Sequence, residues 1–429
     1  GLDHPMPDRR DLDSVAQFRA VFVSRIDGHS CSLSSAGLAK IDLDPGLPGI
    51  DLDLRGRPSG VLTGPANYEA RRRVFAYLPD EQIRLAQLAA CRMALERGVT
   101  AVHEMAGERF AGDRDLEVLL ASRESYPIHV RPYLATFDVE RAGERGLDCV
   151  GGDLFLDGSI GSATAAMKEP YLDGPSRGSL YHPDEEITSF FLRACRMGLQ
   201  AGVHAIGDAA VEQAILCLER AFSQLDPEEA AAARRRRMRI EHFECVSEEQ
   251  LERASRLGVV ASVQPAFDRL WGGPQGMYAA RLGERALAMN PFRMMLAHGL
   301  VLAGGSDSPV TLLDPFGAMA AAAGHHVPWF SVSVDDALRM FTLGGALAAH
   351  EEWERGSLEV GKRADLCVVS EDPTAGEAAD LAGIQVLETW VGGKRVWSAS
   401  GGSAPTEAGE EAEPGFRWSR ERELPPRLF

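Results

Sequence analysis

LAGGSDSPV, residues 302–310, is the stretch from which the rest of the chain is read. The apolar run from Gly299 to Ala303 has the length of a short buried strand. Glycine then breaks it, and a carboxylate, Asp307, stands at the exit. Buried parallel strands that end in polar residues are how an α/β barrel assembles a site at the carboxyl ends of its strands. One such strand says little, but the arrangement recurs upstream.

Further strands are expected at Thr100–His103, Ile128–Ala135, Asp153–Asp157, Gln200–Ala205, Met238–His242 and Val259–Gln264. Helices near Asp113–Arg123, Asp184–Met197, Ala209–Ser223 and Ser247–Leu257 alternate with them, the pattern of a parallel sheet with crossover helices. With the strand at Gly299 this makes about seven βα units, one short of a closed eight-stranded barrel. In DLFLD the period of two puts Asp153, Phe155 and Asp157 on one face.

The ends of the chain have a different texture. Residues 1–97 read as a leading subdomain. A strand at Val21–Ile26 runs into a turn carrying Asp27 and His29, and Pro45–Gly64 reads as a loop rich in Gly, Pro and Asp. A helix then starts at Asp80 and ends at Gly98, a residue suited to the left-handed position after a helix. Residues 98–350 form the barrel, with a helix after the cap residue Ser333. Residues 355–398 form a small β domain with strands at Ala364–Val369, Val386–Val391 and Lys394–Trp397, and 399–429 a flexible tail.

Bulk properties narrow the function. The chain has 429 residues, 45% of them hydrophobic, and a formal net charge of −18, which disfavours nucleic acid and anionic membranes as partners. No apolar run reaches the ~18 residues of a membrane span. Seven scattered cysteines without a CxxC read as reduced thiols, so a cytoplasmic soluble protein acting on a small molecule is expected.

The strand exits carry His103, Asp157, His204, His242, Gln264 and Asp307. Two histidines and a carboxylate from separate strands suit a divalent ion: zinc first, with manganese or iron as alternatives. Such an ion lowers the pKa of bound water to about 7. Asp307 is then positioned both as a ligand and as the group that takes a proton and returns it to a leaving group. A lone histidine at a strand end is more often structural. His204 and His242 ending consecutive strands, with Asp307 two strands later, turn that balance toward ligation. His29, His103, Asp157 and Gln264 are the candidate substrate contacts, although Asp157 could instead shape a turn and Gln264 could simply end its strand.

The segments IDGHS (26–30), GVTAVHEM (98–105), LFLDGSIGSATAA (154–166), VHAIGDAA (203–210), RIEHFE (239–244), SVQPAF (262–267), GGSDSPV (304–310) and SLEVGKRADLCVV (357–369) together resemble the amidohydrolase superfamily. The resemblance is to amidohydrolase family 3, with its N-substituted formamide deformylase-like and exoenzyme-regulatory-protein-like enzymes. It implies a metal-dependent hydrolase on a distorted (β/α)8 TIM-like barrel, with a β-sandwich made from both chain ends. Carried over, the ligands are His204 on the fifth strand, His242 on the sixth and Asp307 on the eighth.

Two departures follow. The His-x-His pair of the family's first strand is absent, so the first strand is expected to be missing or replaced and the sequence to be N-terminally incomplete or a natural short form. A barrel lacking a strand exposes two edges, which a homodimer would cover. Asp153 stands where the family often has a metal-bridging lysine, and it is too short to bridge, since one residue pair spans about 6–7 Å of strand. One metal is therefore expected rather than two. The resulting expectation is hydrolysis of an amide-like, non-peptide C–N bond. The alternative is a catalytically silent scaffold or regulatory protein on the same fold.

Overall fold

A computed structural model describes residues 6–26, 28–107 and 113–400, together with the backbone of 402–403. The expected turn position of Asp27 and most of the expected tail lie outside the described residues. The described residues fall into two compact units, one formed by those up to Ala70 and the other by those from Arg71 onward to residue 400.

The first unit holds a four-stranded antiparallel sheet. Its strands are β1 (Phe22–Ser24), β2 (Ser30–Leu33), β3 (Ile50–Leu52) and β4 (Pro58–Thr63), ordered β1-β2-β4-β3. The loop expected over Pro45–Gly64 is thus corrected: it contains two strands. Its glycines are what hide them. Gly60 has φ +100°, and a Cβ there would stand 2.5 Å from the Leu33 carbonyl oxygen, so only glycine lets β4 lie this close to β2.

The second unit is built on seven parallel strands: β5 (Ala101–Gly107), β6 (His129–Ala135), β7 (Cys149–Val150), β8 (Gln200–Ala205), β9 (Arg239–His242), β10 (Val260–Val263) and β11 (Val301–Gly304). β7 to β11 pair in sequence order and β5 pairs with β6. The Gly151 N–H donates to the Leu134 carbonyl at 2.8 Å and links the end of β7 to β6. Among the described residues, β5 and β11 each have one hydrogen-bonded neighbour.

The strand expected at Asp153–Asp157 is reduced to a single parallel bridge between Phe155 and His204. Gly151 and Gly152, at φ +80° and +74°, turn the chain out of the extended conformation just before it. A Cβ on Gly151 would meet the Gly202 carbonyl oxygen at 2.1 Å. The shared face survives without the ladder, since Asp153, Phe155 and Asp157 all face the histidines of β8 and β9.

Local signals set the helices between the strands. Ser247 and Gln250 close a capping box at the start of helix Glu248–Leu257. Helix Asp184–Met197 has three acidic residues in its first turn, where the helix dipole favours them, and ends on Gly198 at φ +70°. Its buried face is Ile187, Phe190, Phe191 and Ala194. Each large apolar side chain contributes roughly 1.5–3 kcal/mol on burial, and Phe190→Ala would cost about 3–5 kcal/mol. This face joins Val203, Ile240 and Ala261 of the strands in one apolar layer.

The expected C-terminal strands form an antiparallel sheet of β12 (Leu366–Val369), β13 (Val386–Val391) and β14 (Lys394–Ser398). Buried Thr389 donates its hydroxyl to the Leu95 carbonyl at 2.6 Å. Helix Asp80–Glu96, grouped by sequence with the leading subdomain, therefore belongs to the second unit, where it packs on this sheet. No helix among the described residues is long and apolar enough to cross a membrane.

Candidate metal centre

The site is built where β7, β8 and β9 end. Along β9, Arg239 and Glu241 turn to one side, where Nε of Arg239 donates to Oε1 of Glu241 at 2.8 Å. Ile240 turns to the other, into the apolar layer. Simple alternation would send His242 after Ile240. Instead His242 and Phe243 take φ +69° and +52°, a left-handed backbone that costs about 1–3 kcal/mol per non-glycine residue. The turn carries the His242 ring round to Asp153.

One donor atom from each of Asp153, His204 and His242 lies within 4.8 Å of the other two. Nε2 of His242 is 3.6 Å from Oδ1 of Asp153, and the two imidazole rings are 4.5 Å apart by centroid. Each ring has a polar neighbour at Nδ1. Nδ1 of His242 is 2.8 Å from Oε1 of Gln264; an amide oxygen only accepts, so the proton is on Nδ1. Nδ1 of His204 is 3.2 Å from Oδ1 of Asp157. Asp157 is wholly buried and accepts the backbone N–H groups of Ala166, Ile206 and Gly207 at 2.9, 3.1 and 2.8 Å. The Nε2 of His242 is thereby turned toward Asp153.

Packing fixes the rings further. The Phe155 ring meets His204 edge-on at 4.8 Å, and Phe267 stacks on His242 at 5.8 Å. Trp271 and Tyr278 continue from Phe267 at 4.6 and 6.3 Å, making an aromatic wall beside the site.

The charge around the centre is negative. Burial alone would lower the pKa of His242, but the Asp153 carboxylate beside it and the charges of Asp307 and Glu244 raise it to about 10. A positive charge is favoured at this nitrogen. Asp307 follows β11 in a left-handed turn at φ +52°. Burial pushes its carboxyl up to about 7, opposed by His242 and reinforced by Asp153, Glu241 and Glu244. Burial likewise pushes Asp157 up to about 7, against its three backbone donors.

The sequence placed His204, His242 and Asp307 at the centre. The structure gathers the two histidines with Asp153, and sets Asp307 beside them, within the electrostatic reach of His242 and Asp153. The sequence treated Asp153 only as too short to bridge two ions and did not count it among the candidate ligands; the structure brings it into the cluster. Its signal was its alternation with Phe155 and Asp157.

Asp157 and Gln264, the sequence's candidate substrate contacts, stand behind the two histidines. His103 does not end a strand as expected, because β5 runs on to Gly107. Its Nδ1 accepts from Nη1 of Arg239 at 2.9 Å. A guanidinium only donates, so this nitrogen carries no proton, and burial followed by the Arg239 charge holds the ring's pKa well below its ordinary value. His29 belongs to the first unit, where its Nδ1 lies 2.9 Å from the Tyr68 hydroxyl.

An α/β protein with a candidate metal-binding cluster at the carboxyl ends of parallel strands is the class these features define. The chain belongs to the amidohydrolase family, whose model matches residues 3–397. It is 31% identical over 431 residues to the protein LONG AFTER FAR-RED 3 of Arabidopsis thaliana, covering 91% of this chain and 71% of that one. It is 28% identical to the N-substituted formamide deformylase of Arthrobacter pascens over 223 residues, half of this chain and 40% of the relative. The crystal structure of a metal-dependent hydrolase from Pyrococcus furiosus superimposes with a TM-score of 0.68 at 30% identity, over 86% of this chain and 75% of that chain.

Proposed function

We propose that the protein is a hydrolase that uses one divalent ion, zinc in the first instance, to cleave an amide-like, non-peptide C–N bond of a small molecule. The observation that carries this reading is the convergence of Asp153, His204 and His242, one possible ligand atom from each lying within 4.8 Å of the other two, with His242 held at Nδ1 by Gln264 and its Nε2 facing Asp153. Two imidazoles and a carboxylate suit a borderline divalent ion, and catalytic zinc sites keep three protein ligands and one open position. Acidic neighbours that favour positive charge at His242 fit the same occupant. The seven parallel strands read best as a TIM-like barrel, with the site at its carboxyl face.

Bound there, a divalent ion polarises a carbonyl oxygen and makes water ionisable near neutral pH. His204, His242 and Asp153 would hold it, with Asp307 at its flank. Asp307 handles the proton. A carboxyl titrating near 7 can take a proton at one of its oxygens and deliver it to the departing nitrogen in the same pH range. Phe267, Trp271 and Tyr278 make the surroundings of His242 apolar on that side. The relative named N-substituted formamide deformylase supports a C–N bond as the target.

The test is metal analysis of the purified protein together with amine release from a panel of N-substituted formamides. About one equivalent of zinc, activity lost on chelation and activity restored by zinc, manganese or iron are expected. A protein that takes up none of these ions would be a silent scaffold, and the proposal would fall.

A further inference from the structure

Beneath the histidines lies a second arrangement with no place in the chemistry above. Arg239 is 2% exposed, yet all five of its N–H groups are engaged by side chains. Nε and one Nη2 hydrogen go to the two oxygens of Glu241 at 2.8 and 3.1 Å, and the other Nη2 hydrogen to Ser262 Oγ at 3.1 Å. Nη1 donates to Nδ1 of His103 at 2.9 Å and to the Tyr133 hydroxyl at 3.0 Å. The guanidinium also lies over the Tyr133 ring, 4.8 Å from its centroid. Tyr133 passes its own proton to Oε1 of Gln200 at 2.6 Å.

The partners of the cation stand on β5, β6, β9 and β10, and Tyr133 extends the network to Gln200 on β8. Two of its contacts bear on the site. Arg239 itself is three residues before His242 on β9, and Ser262 is two before Gln264, the residue that holds Nδ1 of His242. The bond from Gln264 to His242 requires the ends of β9 and β10 to keep one register. The left-handed turn at His242 is strained and needs a rigid base to persist. A fully satisfied buried guanidinium supplies it, because charge-assisted bonds are directional and a lost spoke leaves buried polar groups unpaired.

We propose that Arg239 is a positioning residue for the metal centre, fixing through His103, Tyr133, Glu241 and Ser262 the register at which His242 presents Nε2 to Asp153. The proposal rests on the metal-site reading. It differs from a purely structural role, in which the network stabilises the fold and a folded variant lacking it would bind metal as well as the native protein.

The experiment measures zinc affinity by competition with a chromophoric chelator, at a temperature where circular dichroism shows every variant folded. Arg239→Lys cannot span the spokes and His103→Leu removes one acceptor; each is expected to weaken zinc binding about 10–100-fold. His103→Gln keeps an acceptor oxygen and is expected to recover most of that loss. Thr389→Val, which loses the bond to the Leu95 carbonyl, is expected to lower the thermal midpoint and leave zinc affinity unchanged. Should Arg239→Lys fail to fold, the two His103 variants decide the matter. Native zinc affinity in folded Arg239→Lys or His103→Leu would overturn the proposal alone. Absence of zinc binding by the native protein would overturn the metal-site reading, and this proposal with it.

Discussion

His242 gives its Nδ1 proton to Oε1 of Gln264 over 2.8 Å, a bond between the ends of neighbouring parallel strands. The same ring keeps Nε2 3.6 Å from Oδ1 of Asp153. The Gln264 amide therefore sets both the tautomer and the direction of a metal-binding nitrogen. Gln264→Ala is expected to weaken zinc binding about 10–100-fold, while Gln264→Glu, which still accepts from Nδ1, keeps native affinity or exceeds it. Chelator competition separates the two variants, and native affinity in Gln264→Ala would refute the orienting role.

Asp153 and Asp307 are predicted to fail differently. Asp153 shares the 4.8 Å cluster with both histidines, and Asp307 flanks it. Asp153→Asn is expected to lose most of its metal on purification. Asp307→Asn is expected to retain metal while turnover drops about 10²–10⁴-fold, the usual contribution of a general acid–base group. Metal content and rate measured on the same samples decide it. The reverse pattern would exchange the two roles.

Much of this was legible in the chain, and what escaped shares a cause. β8, β10 and β11 are short, largely buried runs, and the Ser247 cap marks the helix that follows β9, so both the strands and their polar exits stood out, His204 and His242 among them. The pair β3 and β4 was hidden because the glycines that permit close strand approach have the composition of a loop. The ladder expected at Asp153–Asp157 was broken by two left-handed glycines, a backbone choice that periodicity does not record. His103 was misplaced by four residues of strand length, enough to move it from an exit into the Arg239 network. That network itself joins residues as far apart as His103 and Ser262, and such pairings are set by register rather than by local pattern. The i, i+2 pair Arg239–Glu241 in a buried strand was its one local trace.

Asp157 should matter to the fold even without metal. Its two oxygens take three backbone N–H groups inside a fully buried pocket. In Asp157→Asn one oxygen becomes an amide NH2 that opposes those donors, leaving at least one N–H unpaired at about 1–3 kcal/mol each. Urea unfolding of the metal-free protein should show a lower midpoint with an unchanged slope. An unchanged midpoint would mean that water or a shifted backbone satisfies these donors.

Glu351 gives the clearest dependence on pH. Its carboxylate lies 2.8 Å from Nε2 of His129, 3.4 Å from Nη1 of Arg131 and 2.9 Å from Nε of Arg355. Burial alone would raise its pKa, but the His129 hydrogen bond and the charges of His129, Arg355 and Arg131 outweigh it and hold the carboxyl below its ordinary value. A depressed carboxyl favours the folded state wherever it is ionised. Its contribution is therefore complete above the unfolded value of about 4.3 and disappears as pH falls through the lower, folded value. Glu351→Gln removes the charge and should cost about 1.5–3 kcal/mol near pH 7, the range for hydrogen bonds to charged groups. As pH is lowered below about 4 the native protein loses the same contribution while the variant has none to lose. The two urea midpoints should then converge. A gap that stays constant from neutral to acid pH would show that the network stabilises through shape and packing, not through the Glu351 charge.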